Sequence, residues 1–252
     1  MIPKIIHYCW FGGNPYPENI ESCMSSWQKH LHGYEFMLWN EENFDINSNQ
    51  YVMEAYKTKK WAFVADYVRL WALYNHGGIY LDSDIRVFKS FDRFLEHSFF
   101  FGYENKKDIR YIHTGVIGAK YKHDFVKALL DDYSGRTFIR KDGSLDFTTN
   151  VKSITHKAKE LYGFIGDGKY QVLGDDIHIY PYDYFSGFNG GGEYGDKDCY
   201  DITENTCTIH EFVGSWVSKT KREGNFFIKR VNKNGIKKTR VLGITVKKEK
   251  EY

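Results

Sequence analysis

The sequence predicts an α/β sandwich with a mainly parallel central sheet and helices on both sides. Three observations predict it. Short apolar runs of strand type alternate with helical stretches. The chain opens on a strand that ends in a glycine turn, a common start for an α/β nucleotide-binding domain. The strongest helical pattern closes on Gly77-Gly78 and leads at once into the next strand.

The elements follow in order. Lys4 to Trp10 reads as a first strand, stopped by Gly12-Gly13-Asn14-Pro15. Residues 18–31 fit a helix, 34–39 a second strand and 50–59 another helix. Over 61–75, Trp61, Val64, Ala65, Val68 and Ala72 recur at helical spacing, and Leu70, Trp71, Leu73 and Tyr74 fill the other sides. A helix apolar nearly all round is a buried one. The strand Ile79-Tyr80-Leu81 comes next and ends in Asp82-Ser83-Asp84. Strands are expected at 98–103 and 115–119, helices at 122–132 and 150–162, and an extended run at 177–182. Residues 186–198, rich in Gly and Asp, read as a loop. The stretch 207–219 reads as a strand followed by a turn.

Size and composition set limits. The chain has 252 residues, 42% of them apolar, and four prolines, with no linker-like stretch. That suits one domain. A net charge of +2 does not suit a nucleic-acid partner. Basic residues nevertheless dominate from Lys229 to Lys250, either as a solvated tail or as a patch that adheres to an anionic membrane face. The four cysteines form no CxxC pair, which argues against structural zinc. With no signal peptide and no long apolar run, a cytoplasmic protein with reduced thiols is expected.

The candidate chemistry centres on the aspartates. Residues two apart on a strand point the same way, so Asp82 and Asp84 can converge. Two carboxylates at a strand's carboxyl end either close a polar turn or hold Mg²⁺ or Mn²⁺. In the preceding helix Asp66 and Arg69 share a face, as a self-satisfying ion pair or as ligands for sugar hydroxyls and phosphate. Trp10, where the first strand leaves the sheet, is either a core indole or a stacking surface for a base. His210, followed by Gly214-Ser215-Trp216, is either a satisfied histidine or a ligand to the same metal or phosphate.

The stretches IPKIIHYCWFGG, AFVADYVRLWALYNHGGIYLDSD and IHEFVGSW, in this order, resemble glycosyltransferase family 32. These DxD-containing sugar transferases include yeast mannosyltransferases and bacterial capsule and exopolysaccharide enzymes. The catalytic domains of the large glucosylating toxins look like distant relatives. The resemblance is densest over 1–120 and returns at 207–217. It implies a GT-A domain, here expected over 1–228 with a basic extension at 229–252. It also implies a divalent cation (Mn²⁺ or Mg²⁺), a UDP-sugar donor, retention of configuration, and a glycan acceptor, lipid-linked at the inner membrane face in many bacterial members.

Carried over by position, Cys9 and Trp10 match residues that hold the base, and Ala65, Asp66 and Arg69 match the donor-sugar helix. Tyr80 matches a residue near sugar and phosphates. Asp82 matches the aspartate shared between ribose and a metal-bound water, and Asp84 the direct metal ligand. His210, Ser215 and Trp216 match the segment that closes over the diphosphate. The resemblance thus makes Asp66, Arg69, Asp82 and Asp84 the catalytic set, with His210 beside the metal. Ala65 stands where the toxins have serine, and around Ile112–Gly115 some members carry an asparagine that this chain lacks. Two rival readings use the same residues: a catalytically silent nucleotide-sugar binder, and a metal-dependent phosphotransferase.

Overall fold

The computed structural model describes residues 1–174, 176–190 and 197–212, together with the backbone of three strands between 229 and 250. The chain divides into two compact units, residues 1–213 and 214–252. The first unit runs β1 (Ile5–Cys9), α1 (Glu18–His30), β2 (Glu35–Trp39), α2 (Gln50–Lys57), α3 (Trp61–His76), β3 (Gly78–Leu81), β4 (Ile85–Val87), β5 (Phe99–Tyr103), β6 (Ile112–Ala119), α4 (Asp124–Asp131), α5 (Asn150–Tyr162), β7 (Gln171–Leu173), β8 (Ile177–Tyr180), α6 (Tyr182–Phe185) and β9 (Thr208–His210).

Seven strands form one sheet in the order β2-β1-β3-β6-β5-β8-β7. β1, β2, β3, β5 and β8 run one way, and β6 and β7 run against them. The mainly parallel sheet expected from the sequence is therefore present. β6 starts at Ile112, earlier than expected, and separates β3 from β5 as an antiparallel insert.

Side chains alternate across this sheet into two cores. Tyr80, Phe99, Phe101 and Ile117 pack with Phe63, Val64 and Val68 of α3 and Ile154 of α5. Ile79, Leu81, Phe100 and Val116 pack instead with Trp27 of α1 and Phe185 of α6. Helices thus cover both faces, as a sheet buried on both sides requires. The connection β1–α1–β2 and the connection β2–α2–α3–β3 depart to opposite sides of β1. Such a switch in strand order opens a crevice at the carboxyl ends of β1 and β3.

The join between α3 and β3 is tight. Gly77 has φ +66° and Gly78 φ +107°, both in the region that side chains disfavour. A Cβ on Gly78 would lie 2.6 Å from the carbonyl oxygen of Ile5 in β1. Gly78→Ala should therefore destabilise the fold by about 2–4 kcal/mol through strain and overlap. The urea midpoint measures this; an unchanged midpoint would mean that β1 and β3 can part without cost.

Beneath the same join, His7 is fully buried. Its Nδ1 accepts from Trp39 Nε1 at 3.2 Å, and its Nε2 donates to the Gly77 carbonyl at 2.7 Å. Burial pulls its pKa down from 6.5 to about 4. The unfolded chain binds the proton over that range and the folded chain does not. Stability from the neutral ring is thus fully present above pH 6.5 and is lost as pH falls toward 4. Between pH 7 and 5 the wild type should lose about 2 kcal/mol more than His7→Asn, from ~1.4 kcal/mol per pH unit. Equal losses in denaturation would mean that the folded protein carries a charged His7.

In the second unit, β10 (Lys229–Lys233), β11 (Ile236–Val241) and β12 (Ile244–Lys250) form an antiparallel three-stranded sheet. The basic stretch therefore includes three strands. Cys9, Cys23, Cys199 and Cys207 are buried. Among the described residues no helix is long and apolar enough to cross a membrane.

Candidate active site

The carboxyl edge of β3 carries the first group of polar side chains. Asp82 follows β3 directly, its N–H bonded to the Gly115 carbonyl at 2.8 Å. Its Oδ1 accepts from the Tyr80 hydroxyl at 2.9 Å and lies 3.2 Å from Arg69 Nη2. The same guanidinium nitrogen is 3.0 Å from Asp66 Oδ1, and Nη1 donates to the Thr114 carbonyl at 2.6 Å. The guanidinium also lies 4.5 Å from the centre of the Tyr80 ring. Arg69 is thus not merely the partner of Asp66. It ties the buried face of α3 to the first aspartate of the DxD, and its charge is matched by two carboxylates.

Asp66 is anchored from a distant element as well. Its Oδ2 accepts from the Asn150 N–H at 3.2 Å, and the Asn150 side chain donates back to the Asp66 carbonyl at 2.6 Å. Burial pushes the Asp66 carboxyl up to about 6, against the pull of Arg69. Ala65 packs partly buried on the core, and its carbonyl receives Arg69 Nε at 3.4 Å.

Asp84 lies two residues further on, in the turn that leads into β4, which pairs antiparallel with β9. Ile85 is opposite His210, and the Glu211 N–H bonds to the Asp84 carbonyl at 3.0 Å. This pairing delivers His210 Nε2 to 3.1 Å from Asp84 Oδ1. Ligand atoms of Asp82, Asp84 and His210 all fall within 4.8 Å of one another. Burial alone would lower the His210 pKa, but the Asp84 carboxylate outweighs it and raises the pKa to about 9. At neutral pH the ring is therefore a cation between acids, with protons on both nitrogens.

Its Nδ1 lies 2.9 Å from His113 Nε2. His113 is fully buried and held neutral, because burial and the neighbouring His210 charge pull its pKa well below the ordinary value. His210 Nδ1–H must then donate to His113 Nε2. That bond fixes the tautomer in which His210 Nε2 faces the carboxylates.

Trp10 stands at the end of β1. Its Nε1 donates to the Asn14 carbonyl at 2.7 Å, and its ring lies 4.8 Å from that of Tyr16. The two rings line a cavity of about 560 Å³ with Gly12, Leu38, Asn40 and Tyr56. Trp10 is thus not a core indole. Cys9 does lie in the core, and burial keeps its thiol protonated. Ser215 and Trp216 lie outside the described residues.

The structure therefore brings together Asp66, Arg69, Tyr80, Asp82, Asp84 and His210. Sequence reasoning missed His113, Asn150 and Glu104. The last follows β5 directly, and its Oε2 is buried without a hydrogen-bond partner. No local pattern points to any of the three: the partners of His113 and Asn150 lie tens of residues away, and Glu104 reads as an ordinary strand end.

A second trio, His97, Asp176 and His178, also brings ligand atoms within 4.8 Å, at the opposite edge of the sheet. There the two imidazoles stack at 3.6 Å with an 18° interplanar angle. Lone pairs lie in the ring planes, so stacked rings aim them side by side instead of at one ion.

Residues 17–101 match the profile of the glycosyltransferase sugar-binding region containing DXD motif. Nearly the whole chain also aligns with a glycosyltransferase of Acanthamoeba polyphaga mimivirus, at 29% identity over 236 residues, 90% of this chain and 88% of that one. The chain is a glycosyltransferase with a DXD sugar-binding region at residues 17–101. A second relative is inositol phosphoceramide mannosyltransferase 3 of Schizosaccharomyces pombe. It is 33% identical over 100 residues, which are 38% of the transferase and 28% of that protein. Among solved structures, the PaToxG glycosyltransferase aligns at TM-score 0.47 and 15% identity, over 63% of the transferase and 68% of that chain. A glycosyltransferase involved in the glycosylation of the major capsid of PBCV-1 aligns at TM-score 0.47 and 13% identity, over 88% and 98%.

Proposed function

We propose that the transferase moves a hexose or N-acetylhexosamine from a UDP-sugar to a glycan acceptor, with a divalent cation and with retention at the anomeric carbon. The setting would be capsular or other surface-polysaccharide synthesis. The observation that carries the reading is the convergence of Asp82, Asp84 and His210 within 4.8 Å beside the Arg69 guanidinium. Two carboxylates and an imidazole are a donor set that Mn²⁺ accepts readily, and Mg²⁺ accepts the oxygen part of it. The residues present thus fit a divalent cation. Loss of the Nε2 proton from His210 would free a third ligand atom while Nδ1–H stays on His113.

A bound cation there would supply charge to offset the diphosphate as the glycosidic bond breaks. The chain's own groups do the rest. Asp84 and His210 define the ion's position. Asp82, turned by Arg69 and Tyr80, keeps Oδ2 for ribose or for a metal-bound water. Arg69 adds fixed positive charge beside the leaving group, and Asp66 faces the sugar hydroxyls with Ala65 beside it. Trp10 offers a ring to the base across the cavity it shares with Tyr16. Cys9 contributes through its main chain, its thiol being buried. Ser215 and Trp216 would close over the diphosphate. Retention has the acceptor hydroxyl attack on the face that the diphosphate leaves, with a departing phosphate oxygen taking its proton.

We place the reaction in the cytoplasm, with peripheral contact at the inner membrane face and a lipid-linked acceptor. The run of basic residues from Lys229 to Lys250 supports this by its composition. The test is a donor panel with Mn²⁺, including a mannosyl donor because one relative is a mannosyltransferase. UDP release from one UDP-sugar, with an α-linked product from an α-donor by NMR, is expected. Release of a different nucleotide, or an inverted product, would defeat the donor or the stereochemical assignment respectively.

A further inference from the structure

Among the described residues, the carboxylates of Asp66 and of the DxD have partners within the protein. Asp66 and Asp82 share Arg69, and Asp84 meets His210. Glu104 Oε2 is buried and unbonded, and so is His113 Nδ1. The two residues are neighbours on one side of the sheet. Gly102 pairs with His113 and Tyr103 with Ile112, and the Glu104 N–H continues the ladder to the Tyr111 carbonyl at 2.9 Å. Tyr103 and Ile112 face the α3-side core, so Glu104 and His113 both point to the other side, diagonal to one another.

The chemistry of the two orphaned atoms is complementary. His113 Nε2 meets His210 Nδ1 at 2.9 Å, which leaves Nδ1 as the ring's remaining polar atom, buried and without a partner. Glu104 Oε2 seeks a donor. One hydroxyl group satisfies both. Backbone contacts hold the arrangement: Ser186 Oγ donates to the Glu104 carbonyl at 2.5 Å, while the Ser186 carbonyl accepts the His210 N–H at 3.0 Å. A Cβ on Gly115 would stand 2.8 Å from His113 Nε2 and 3.2 Å from Asp82 Oδ2.

We propose that Glu104 Oε2 and His113 Nδ1 together bind one hydroxyl of the transferred sugar, making Glu104 a specificity-determining residue for the donor. A hydroxyl both donates and accepts, so a single one can meet the two unpartnered atoms. The inference rests on the glycosyl-transfer reading above. Burial lifts the Glu104 carboxyl to about 7, with His210 pulling it back down, which agrees with a carboxylate lacking a donor. Phe212 stacks on His210 at 3.8 Å, so a sugar reaching this subsite must displace that ring.

The experiment compares wild type with E104Q on the accepted donor and its monodeoxy analogues, reading kcat/KM for transfer, for donor hydrolysis, and Kd for UDP with Mn²⁺. The expected result is a loss of about tenfold or more in both transfer and hydrolysis, with UDP affinity within about twofold. One monodeoxy donor should be penalised in wild type and show no added penalty in E104Q. Equal sensitivity of both enzymes to every deoxy donor would overturn the proposal and leave a buried water as the occupant. Loss of transfer with unchanged hydrolysis would also overturn it, by moving the hydroxyl to the acceptor. If circular dichroism shows E104Q misfolded, Glu104→Asp, which withdraws the carboxylate by one methylene, gives the same test. A wild type that cleaves no sugar nucleotide would instead defeat the transfer reading itself.

Discussion

Asp84→Ala is expected to lower sugar transfer at least about 100-fold, the scale for removing a key electrostatic group from an active site. Two effects combine. The carboxylate at the centre of the Asp82, Asp84 and His210 trio disappears, and His210 loses the acid 3.1 Å from its Nε2. The fold should survive, because the main-chain bond from Glu211 to the residue 84 carbonyl and the β4–β9 pairing do not use the side chain. The check is nucleotide release as a function of Mn²⁺ concentration. Near-wild-type rates with unchanged metal dependence would remove Asp84 from the ion site.

The second large effect belongs to Asp66. Asp66→Ala leaves the Asn150 N–H without its acceptor and removes one of the two carboxylates around Arg69. Breaking a buried pair typically costs about 3–5 kcal/mol, and the remaining Asp82 contact puts the cost toward the lower figure. Turnover should fall further than this loss of stability explains, because Asp66 is proposed to meet the sugar. UDP affinity by calorimetry should change little. Loss of UDP binding along with turnover would make Asp66 a purely structural residue that keeps Arg69 in place.

Much of the architecture was legible because local pattern and tertiary role agree. The helix 61–76 is apolar nearly all round, and it is in fact sandwiched between the sheet and its neighbours. The Gly77-Gly78 pair has the positive φ that an abrupt helix-to-strand join needs. Asp82 and Asp84 do converge, but across a turn in which the Ile85 N–H bonds back to the Asp82 carbonyl at 3.0 Å, not along a strand. The direction of β6 was not legible, since a fully buried apolar run carries no mark of its orientation. β4 and β9 are three residues each, too short to show a period, although their pairing is what carries His210 to Asp84.

The site was readable where a motif concentrates residues and unreadable where the fold gathers them. Asn150 reaches Asp66 across 84 positions, and His113 reaches His210 across 97. Glu104 follows the run FFFGY and looks like an ordinary strand end; only the orphaned Oε2 marks it. Trp10 was ambiguous between core and surface until the cavity it shares with Tyr16 placed it. The basic segment gave composition without shape, and its strands emerge only from pairing.

The central claim is that the DxD trio and the Trp10 cavity act as one nucleotide-sugar site. The most direct measurement is a crystal structure with UDP and Mn²⁺, the ion located by its anomalous signal. The account predicts one strong peak coordinated by Asp84, with Asp82 and His210 around it, and the uracil against Trp10. A peak at His97 and His178 alone, or UDP bound away from Trp10, would contradict it.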